Sequence, residues 1–408
     1  MTSRYRAPLG AAALLALVNL ASYAQSPPGP AAAAAAPQVL DVQGGKIRVV
    51  TLAAGLVHPW SIAFLPGGNT LLVAEAGRVR VVRNGALDPE PAYTVPAGTS
   101  KENNDTLKWL AVHPRFAANG LVYLSYPISG ERGTTLAVAR GRFDGTKLVD
   151  VKQIFVADAW ETSGNMGGKL LFGPDETLYV TVGDRDRLCC TGTEDNSLRL
   201  KAQDLGNDVG KVLRLRDDGT VPPDNPFAGR AGAKPEIYTY GHRNGYGLAF
   251  NPETGVLWEA EIGPMGGDEV NILLPGHNYG WPLVSMGRNY TGSLVSDQWY
   301  HREGMDDPRM FWVPSISPSS LAFYTGDKFP RWKNSMLVGS LNGLALQRVS
   351  FGQPSQAERR EPLLRQLNVR IRDVQQGPDG LIYVATELRS AGTAADGTVL
   401  RLEPADGS

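Results

Sequence analysis

GYGLAFNPETGVLWEAEIG, residues 245–263, carries two short apolar runs on either side of the turn Asn-Pro-Glu-Thr-Gly. Proline supplies a fixed φ for such a turn and glycine a positive one, so the stretch reads as two antiparallel strands of about five residues each. The pattern recurs. Copies lie at 59–82 (PWSIAFLPGGNTLLVAEAGRVRVV), 107–128 (LKWLAVHPRFAANGLVYLSYPI) and 167–184 (GGKLLFGPDETLYVTVGD). Two more follow at 318–341 (PSSLAFYTGDKFPRWKNSMLVGSL) and 371–387 (IRDVQQGPDGLIYVATE). Most copies precede a further strand pattern, such as GKVLRLRDDG or GTVLRLEP. No unit has enough apolar area to stand alone, so six copies point to radial repetition in which each unit stacks on its neighbours. The expected fold is all-β, a six-bladed β-propeller of four-stranded blades spanning residues 46–404. Sustained helical periodicity is absent after the N-terminal region, which argues against an α/β alternative. The long insertions near 183–210 and 283–316 are expected as loops over one face, where the binding site of a propeller usually lies.

The chain has 408 residues, with 40 basic and 41 acidic side chains, so it has no field that would favour nucleic acid or an acidic membrane. Small molecules and proteins are the default partners. Arg4 and Arg6, the apolar run Leu9–Leu20 and the small residues of Ser22-Tyr23-Ala24 read as an export signal over residues 1–24. The apolar run is too short to span a bilayer. Residues 25–45, rich in Pro and Ala, read as a tether. Together these place the protein in the periplasm or outside the cell.

The only cysteines are the neighbours Cys189 and Cys190, which leave two readings open, free thiols or a bond between adjacent residues. No C-x-x-C-H haem attachment is present, so electrons from any redox chemistry would need a separate carrier. No G-x-S-x-G nucleophile elbow and no G-x-G-x-x-G opening a helix appear. His113, before Pro114 in a repeat turn, reads as structural.

Three arginines stand out. Arg370 and Arg372 sit two apart in VRIRDV and so share a strand face, and Arg243 is read as occupying the same place in its own repeat. They suit either a ligand with several carboxylates or phosphates, or ordinary pairing with Asp373 or Glu387. Gly263-Pro264 offers carbonyls in a turn that a hard cation such as calcium could use, although Gly-Pro is also simply a turn. Asp268 and Glu269 could bind the same ion or cap the next turn.

The run GHRN…GLAF…IGPMGGDEVN…GHNYGWP, with GKVLRL, GTVPPDNPF, KFPRW and RIRDV, closely resembles the pyrroloquinoline-quinone (PQQ) dependent aldose sugar dehydrogenases, the glucose/sorbosone dehydrogenase family. The likeness covers roughly residues 50–403 and is most specific between 165 and 282. It implies an exported six-bladed propeller holding PQQ and calcium at one mouth of its channel. Arg243 and Asn244 match the family's cofactor-contacting Arg-Asn, and Arg370 and Arg372 match the pair that grips PQQ carboxylates. Gly263 and Pro264 match the carbonyls that coordinate the cofactor's calcium. Glu269 and Tyr279 match a further structural calcium site of some members, and Asp184 matches an acidic residue near the active centre.

Three positions depart from the family. Its catalytic base histidine aligns with Asn165, whose amide has no useful basicity near neutral pH. Its RNPQG reads RNGYG, with Tyr246 in place of a polar cofactor contact. A cofactor-reaching lysine aligns with Asn342. The resemblance therefore implies a quinoprotein dehydrogenase that oxidises an aldose or related sugar with another base, Asp184 being the best candidate. The alternative is a propeller that binds a cofactor, sugar or protein without turnover. A third reading, a lactonase-type hydrolase, rests on Asn165 and Asn342 alone, and the arginines make little sense for it.

Overall fold

The computed structural model describes residues 36–100, 107–162, 164–186, 196–298, 300–352, 358–388 and 395–405. The segment read as an export signal, most of the tether and the Cys189-Cys190 pair lie outside these residues.

Strands such as TLLVAE (Thr70–Glu75), LYVTV (Leu178–Val182) and IYVATEL (Ile382–Leu388) are rich in β-branched and aromatic residues, which suit a pleated sheet buried on both faces. Their turns form as the residue types require. Asn251 Oδ1 accepts from the backbone N–H groups of Glu253 and Thr254, and Gly255 adopts φ 68°. The equivalent turn of the last repeat uses Asp379 Oδ1 to accept from Leu381 N, with Gly380 at φ 77°. His113 is a turn residue as well, its Nδ1 accepting from Arg115 N.

Six antiparallel sheets result, five of them meanders of strands in sequence order and the last completed by strands from the N-terminal end of the described residues. They occupy residues 61–94, 109–156, 167–240, 245–312, 318–363 and 369–405. In the first blade the outer strand is broken into Ala86–Leu87 and Tyr93–Thr94, which both pair with Arg78–Arg83. The first strand of every blade abuts the first strand of the next, and the sixth abuts the first, so the inner strands form a closed ring around a channel. Apolar clusters fill the gaps between blades. One joins blades one to three through residues such as Leu72, Val122 and Leu170. Others join three to four, four to five, five to six and six back to one. The structure is the six-bladed propeller expected from the repeats.

Closure involves a segment that the tether reading had partly absorbed. Gly45–Leu56 pairs with Gly397–Ala405, from Lys46↔Ala405 to Leu56↔Gly397, and supplies the fourth strand of the last blade. Gln38–Val42 then pairs with Gly45–Val49 as a fifth strand, so residues 38–45 are part of the sheet and the tether ends earlier than read. Joining the two chain ends in one sheet removes the exposed edges an open ring would have. Deleting residues up to Leu56 is expected to abolish the single cooperative melting transition and leave an aggregating protein. Circular dichroism on heating checks this, and a variant that still melted cooperatively near the parent temperature would contradict the role given to this strand.

Candidate functional site

Counting back six residues from each turn proline (Pro66, Pro114, Pro174, Pro252 and Pro378) gives Trp60, Lys108, Gly168, Tyr246 and Arg372. The fifth repeat has no such proline. These positions lie at or just before the first strands of their blades, and the side chains of Trp60, Lys108, Tyr246 and Arg372 meet in the channel. Arg372 lies over the Trp60 ring at 4.4 Å, and Lys108 Nζ approaches the same ring to 4.1 Å. Tyr246 meets Trp60 edge-on at 5.8 Å and Trp109 at 6.3 Å. Lys169 Nζ sits 4.1 Å over the Trp109 ring and 3.7 Å from Asp373 Oδ1. Tyr246 thus fills the channel from blade four against aromatics of blades one and two. Trp60, Lys108, Trp109 and Lys169 did not stand out as sequence; the count of six from the turn proline finds Trp60 and Lys108, and Trp109 and Lys169 are the next residues along their strands.

The arginine pair converges on one carboxylate. Arg372 Nη2 is 2.5 Å and Arg370 Nη1 3.5 Å from Glu387 Oε1, while His58 Nδ1 lies 2.6 Å from Glu387 Oε2. Burial alone would raise the Glu387 carboxyl. The His58 hydrogen bond and the Arg372 charge outweigh it and hold the pKa below its usual value. Two guanidinium groups and an imidazole therefore share one anion. The Nε atoms of Arg370 and Arg372 are buried with no hydrogen-bond partner, and so is that of Arg243. Such orphaned donors are costly and suit a ligand that brings further acceptors.

At blade four, Arg243 lies in the loop ahead of the strand Gly245–Phe250 rather than within it, so it does not occupy the strand position that Arg372 has in its repeat. Its Nη1 donates to the carbonyls of Ile262 (2.7 Å) and Gly263 (2.9 Å), and its guanidinium lies 5.4 Å from the Trp281 ring centre. A cationic group thus already faces the Gly263 carbonyl. Pro264 is buried beside it, in a turn fixed by Asp268. Asp268 Oδ1 accepts from Gly263 N, and its Oδ2 accepts from Ile316 N and Ser317 N of the adjoining loop. Asp268, which the sequence offered only as a ligand or a cap, ties the cation turn of blade four to blade five. Asn342 is exposed and donates to Ser317 Oγ, so it belongs to this scaffold and brings no charge to replace a lysine.

Asn165 is half-buried. Its Nδ2 donates to Asp184 Oδ1 at 2.9 Å, which leaves its Oδ1 facing Asn244 Nδ2 at a long 3.5 Å. Asn244 Oδ1 accepts from Gly167 N and so joins blades three and four. Asp184 is fully buried, with Oδ2 accepting from Trp281 Nε1 (2.8 Å) and Oδ1 also from Asp186 N (3.0 Å). In this geometry Asp184 orients Asn165, because neither of its oxygens is open to a substrate. Burial, partly offset by the charge of Arg243, raises its pKa from 3.8 to about 6. The folded chain therefore holds that proton more tightly than the unfolded chain does. The associated stability is complete below about pH 4 and is lost as pH rises through about 6. Asp184→Asn is expected to flatten the fall in melting temperature across this range, and an unchanged slope would rule out Asp184 as its source.

The side chains of Glu269 and Tyr279 have separate surroundings. Tyr279 OH donates to Ile272 O and accepts from Leu274 N, and its ring stacks on His242 at 4.8 Å. Glu269 faces Glu261 and Gly267 across a small cavity of about 10 Å³, enough for one water-sized guest. Burial, with the Glu261 charge, pushes the Glu269 pKa well above the usual carboxylate value.

The cationic side chains of Arg243, Arg370 and Arg372 thus lie on the inner loops and strands of a six-bladed propeller, with the Ile262 and Gly263 carbonyls beside Arg243. The chain matches the Glucose / Sorbosone dehydrogenase family over residues 56–401 and belongs to it. It is 35% identical over 364 residues to the aldose sugar dehydrogenase YliI of Escherichia coli, covering 88% of this chain and 93% of that one. The crystal structure of the apo-form of the soluble aldose sugar dehydrogenase from Escherichia coli superimposes with a TM-score of 0.78 at 33% identity, covering 88% of this chain and all of that one. The PQQ-bound aldose sugar dehydrogenase of Streptomyces coelicolor superimposes with a TM-score of 0.67 at 28% identity, over 93% and 99% of the two chains. The family is that of the PQQ sugar dehydrogenases. Among the described residues no helix is long and apolar enough to cross a membrane.

Proposed function

We propose that this protein is an exported quinoprotein dehydrogenase that oxidises an aldose or related sugar and passes the electrons to a separate acceptor. The observation that carries the reading is the set of buried, partnerless Nε atoms on Arg243, Arg370 and Arg372. PQQ is a tricarboxylate, and donors of this kind fit it. Arg370 and Arg372 would hold its carboxylates, Arg243 and Asn244 would contact it, and Gly263 and Pro264 would hold a calcium ion. When bound, PQQ supplies a two-electron acceptor for the sugar's anomeric carbon, polarised by calcium.

The chain's own residues do the rest. Tyr246, Trp60 and Trp109 close the channel beneath the pocket and exclude water from below. Asn165 Oδ1, fixed by Asp184, is placed to accept a hydrogen bond from a sugar hydroxyl and orient it, but it cannot take the proton. Asp184 keeps that amide in one orientation. Proton removal then falls to solvent or to a substrate acidic enough to ionise unaided. This is the observation that favours the second reading, a weakened or inactive propeller that binds cofactor, sugar or protein without turnover. The lactonase reading lacks support, since Asn165 rests on Asp184 in blade three and Asn342 on Ser317 near blade five.

Purified protein loaded with PQQ and calcium, assayed against a panel of aldoses with an artificial electron acceptor, separates the two. Sugar-dependent reduction of the acceptor supports the dehydrogenase. Bound PQQ that no sugar reduces supports the binding protein.

A further inference from the structure

Blade four contains a second group of metal-type ligands, behind the cofactor turn. Glu259 and Glu261 alternate along the strand Leu257–Glu261 and so face the same side, toward His242. His242 Nδ1 lies 2.7 Å from Glu259 Oε2 and 3.4 Å from Glu261 Oε1, and the three ligand atoms fall within 4.8 Å of one another. All three residues are buried, with relative exposures of 1%, 0% and 3% for His242, Glu259 and Glu261.

Two further observations point to a ligand. Asn271, fully buried and the cross-strand neighbour of Glu259, donates through Nδ2 to Glu261 Oε1, while its Oδ1 has no partner. Directly opposed residues share a face, so this free oxygen lies beside the cluster. Thr239 Oγ1 lies 2.8 Å from His242 Nε2. Engaging that nitrogen fixes the ring and turns Nδ1 to the carboxylates, as the outer partners of metal-binding histidines do. Glu259 Oε1 is likewise without a partner, resting where a Cβ on Gly245 would stand.

We propose that His242 Nδ1, Glu259 and Glu261, with Asn271 Oδ1 beside them, form a buried site for a first-row divalent cation such as Mn2+ or Zn2+. One imidazole nitrogen with carboxylate oxygens suits these ions better than calcium, which takes more oxygens at longer distances. The cation would neutralise two buried carboxylates and satisfy the unpartnered oxygens. The site is distinct from the carbonyls of Gly263 and Pro264 and does not depend on the dehydrogenase reading.

The test uses the full chain stripped with chelator and without PQQ. Mn2+ is titrated in by electron paramagnetic resonance, with calcium in about hundredfold excess. The expected result is one Mn2+ per chain that calcium does not displace, at least tenfold weaker binding in Glu259→Gln, and displacement by Zn2+. Absence of a calcium-resistant Mn2+ ion, or equal binding by a folded Glu259→Gln, would overturn the proposal. If that variant does not fold, the anomalous signal of Mn2+ in crystals of the wild type decides. A peak between His242 and the two glutamates supports the site, and a peak elsewhere or none refutes it.

Discussion

Replacing Asn165 by histidine is expected to raise turnover with aldoses by about 10²–10⁴-fold in the PQQ- and calcium-loaded protein, the usual contribution of a general base. The geometry for it is in place. Asn165 Nδ2 already lies 2.9 Å from Asp184 Oδ1, so an imidazole there can give one N–H to Asp184 and turn its other nitrogen to the sugar. The carboxylate would orient the ring and raise its basicity, as in other carboxylate–imidazole pairs. Because the Asp184 pKa is about 6, the gain should fade as pH falls below that value and Asp184 takes up its proton. Steady-state kinetics against pH for Asn165→His, with and without Asp184→Asn, is the measurement. A variant that binds PQQ normally and turns over no faster would show that base loss does not limit the wild type.

Replacing Arg372 by methionine is expected to damage stability and cofactor binding together. Arg372 is buried against Glu387 and lies over Trp60, so its removal leaves a carboxylate with His58 and the more distant Arg370. Breaking a buried ion pair from one side costs about 3–5 kcal/mol. Losing one charge-assisted contact to PQQ costs about 1.5–3 kcal/mol more in binding, roughly a ten- to hundredfold loss of affinity. Adding Glu387→Gln should recover much of the melting temperature without recovering PQQ affinity. A double variant that regained both would mean that Arg372 acts on the cofactor only through the fold.

The repeats were legible because they are local. Alternating apolar residues and turns such as Asn-Pro-Glu-Thr-Gly are written within about twenty residues of each other, and the Asn251 side chain closes its own turn. Arg370 and Arg372 were legible for the same reason, since a spacing of two on a strand fixes a shared face. Ring closure was not legible, because the pairing of Lys46 with Ala405 joins opposite ends of the chain and leaves no local mark. That is how residues 38–45 came to be read as a tether. Asp268 as the joint between blades and Trp60 as the neighbour of both Arg372 and Tyr246 share this property. Each acquires its role from a residue in another repeat. The reading of Asp184 as a base came from the resemblance and the chemistry of a carboxylate, and only its buried contacts to Trp281 and Asn165 point to a positioning role.

The central claim is that the arginine-lined mouth is a PQQ cradle. Calorimetric titration of PQQ into the apo-protein, with and without calcium, tests it most directly. The expected result is one PQQ per chain at micromolar affinity or tighter, strengthened by calcium and lost in Arg372→Met. A wild type that takes up no PQQ at that concentration with calcium present, while still melting as a folded propeller, would contradict it.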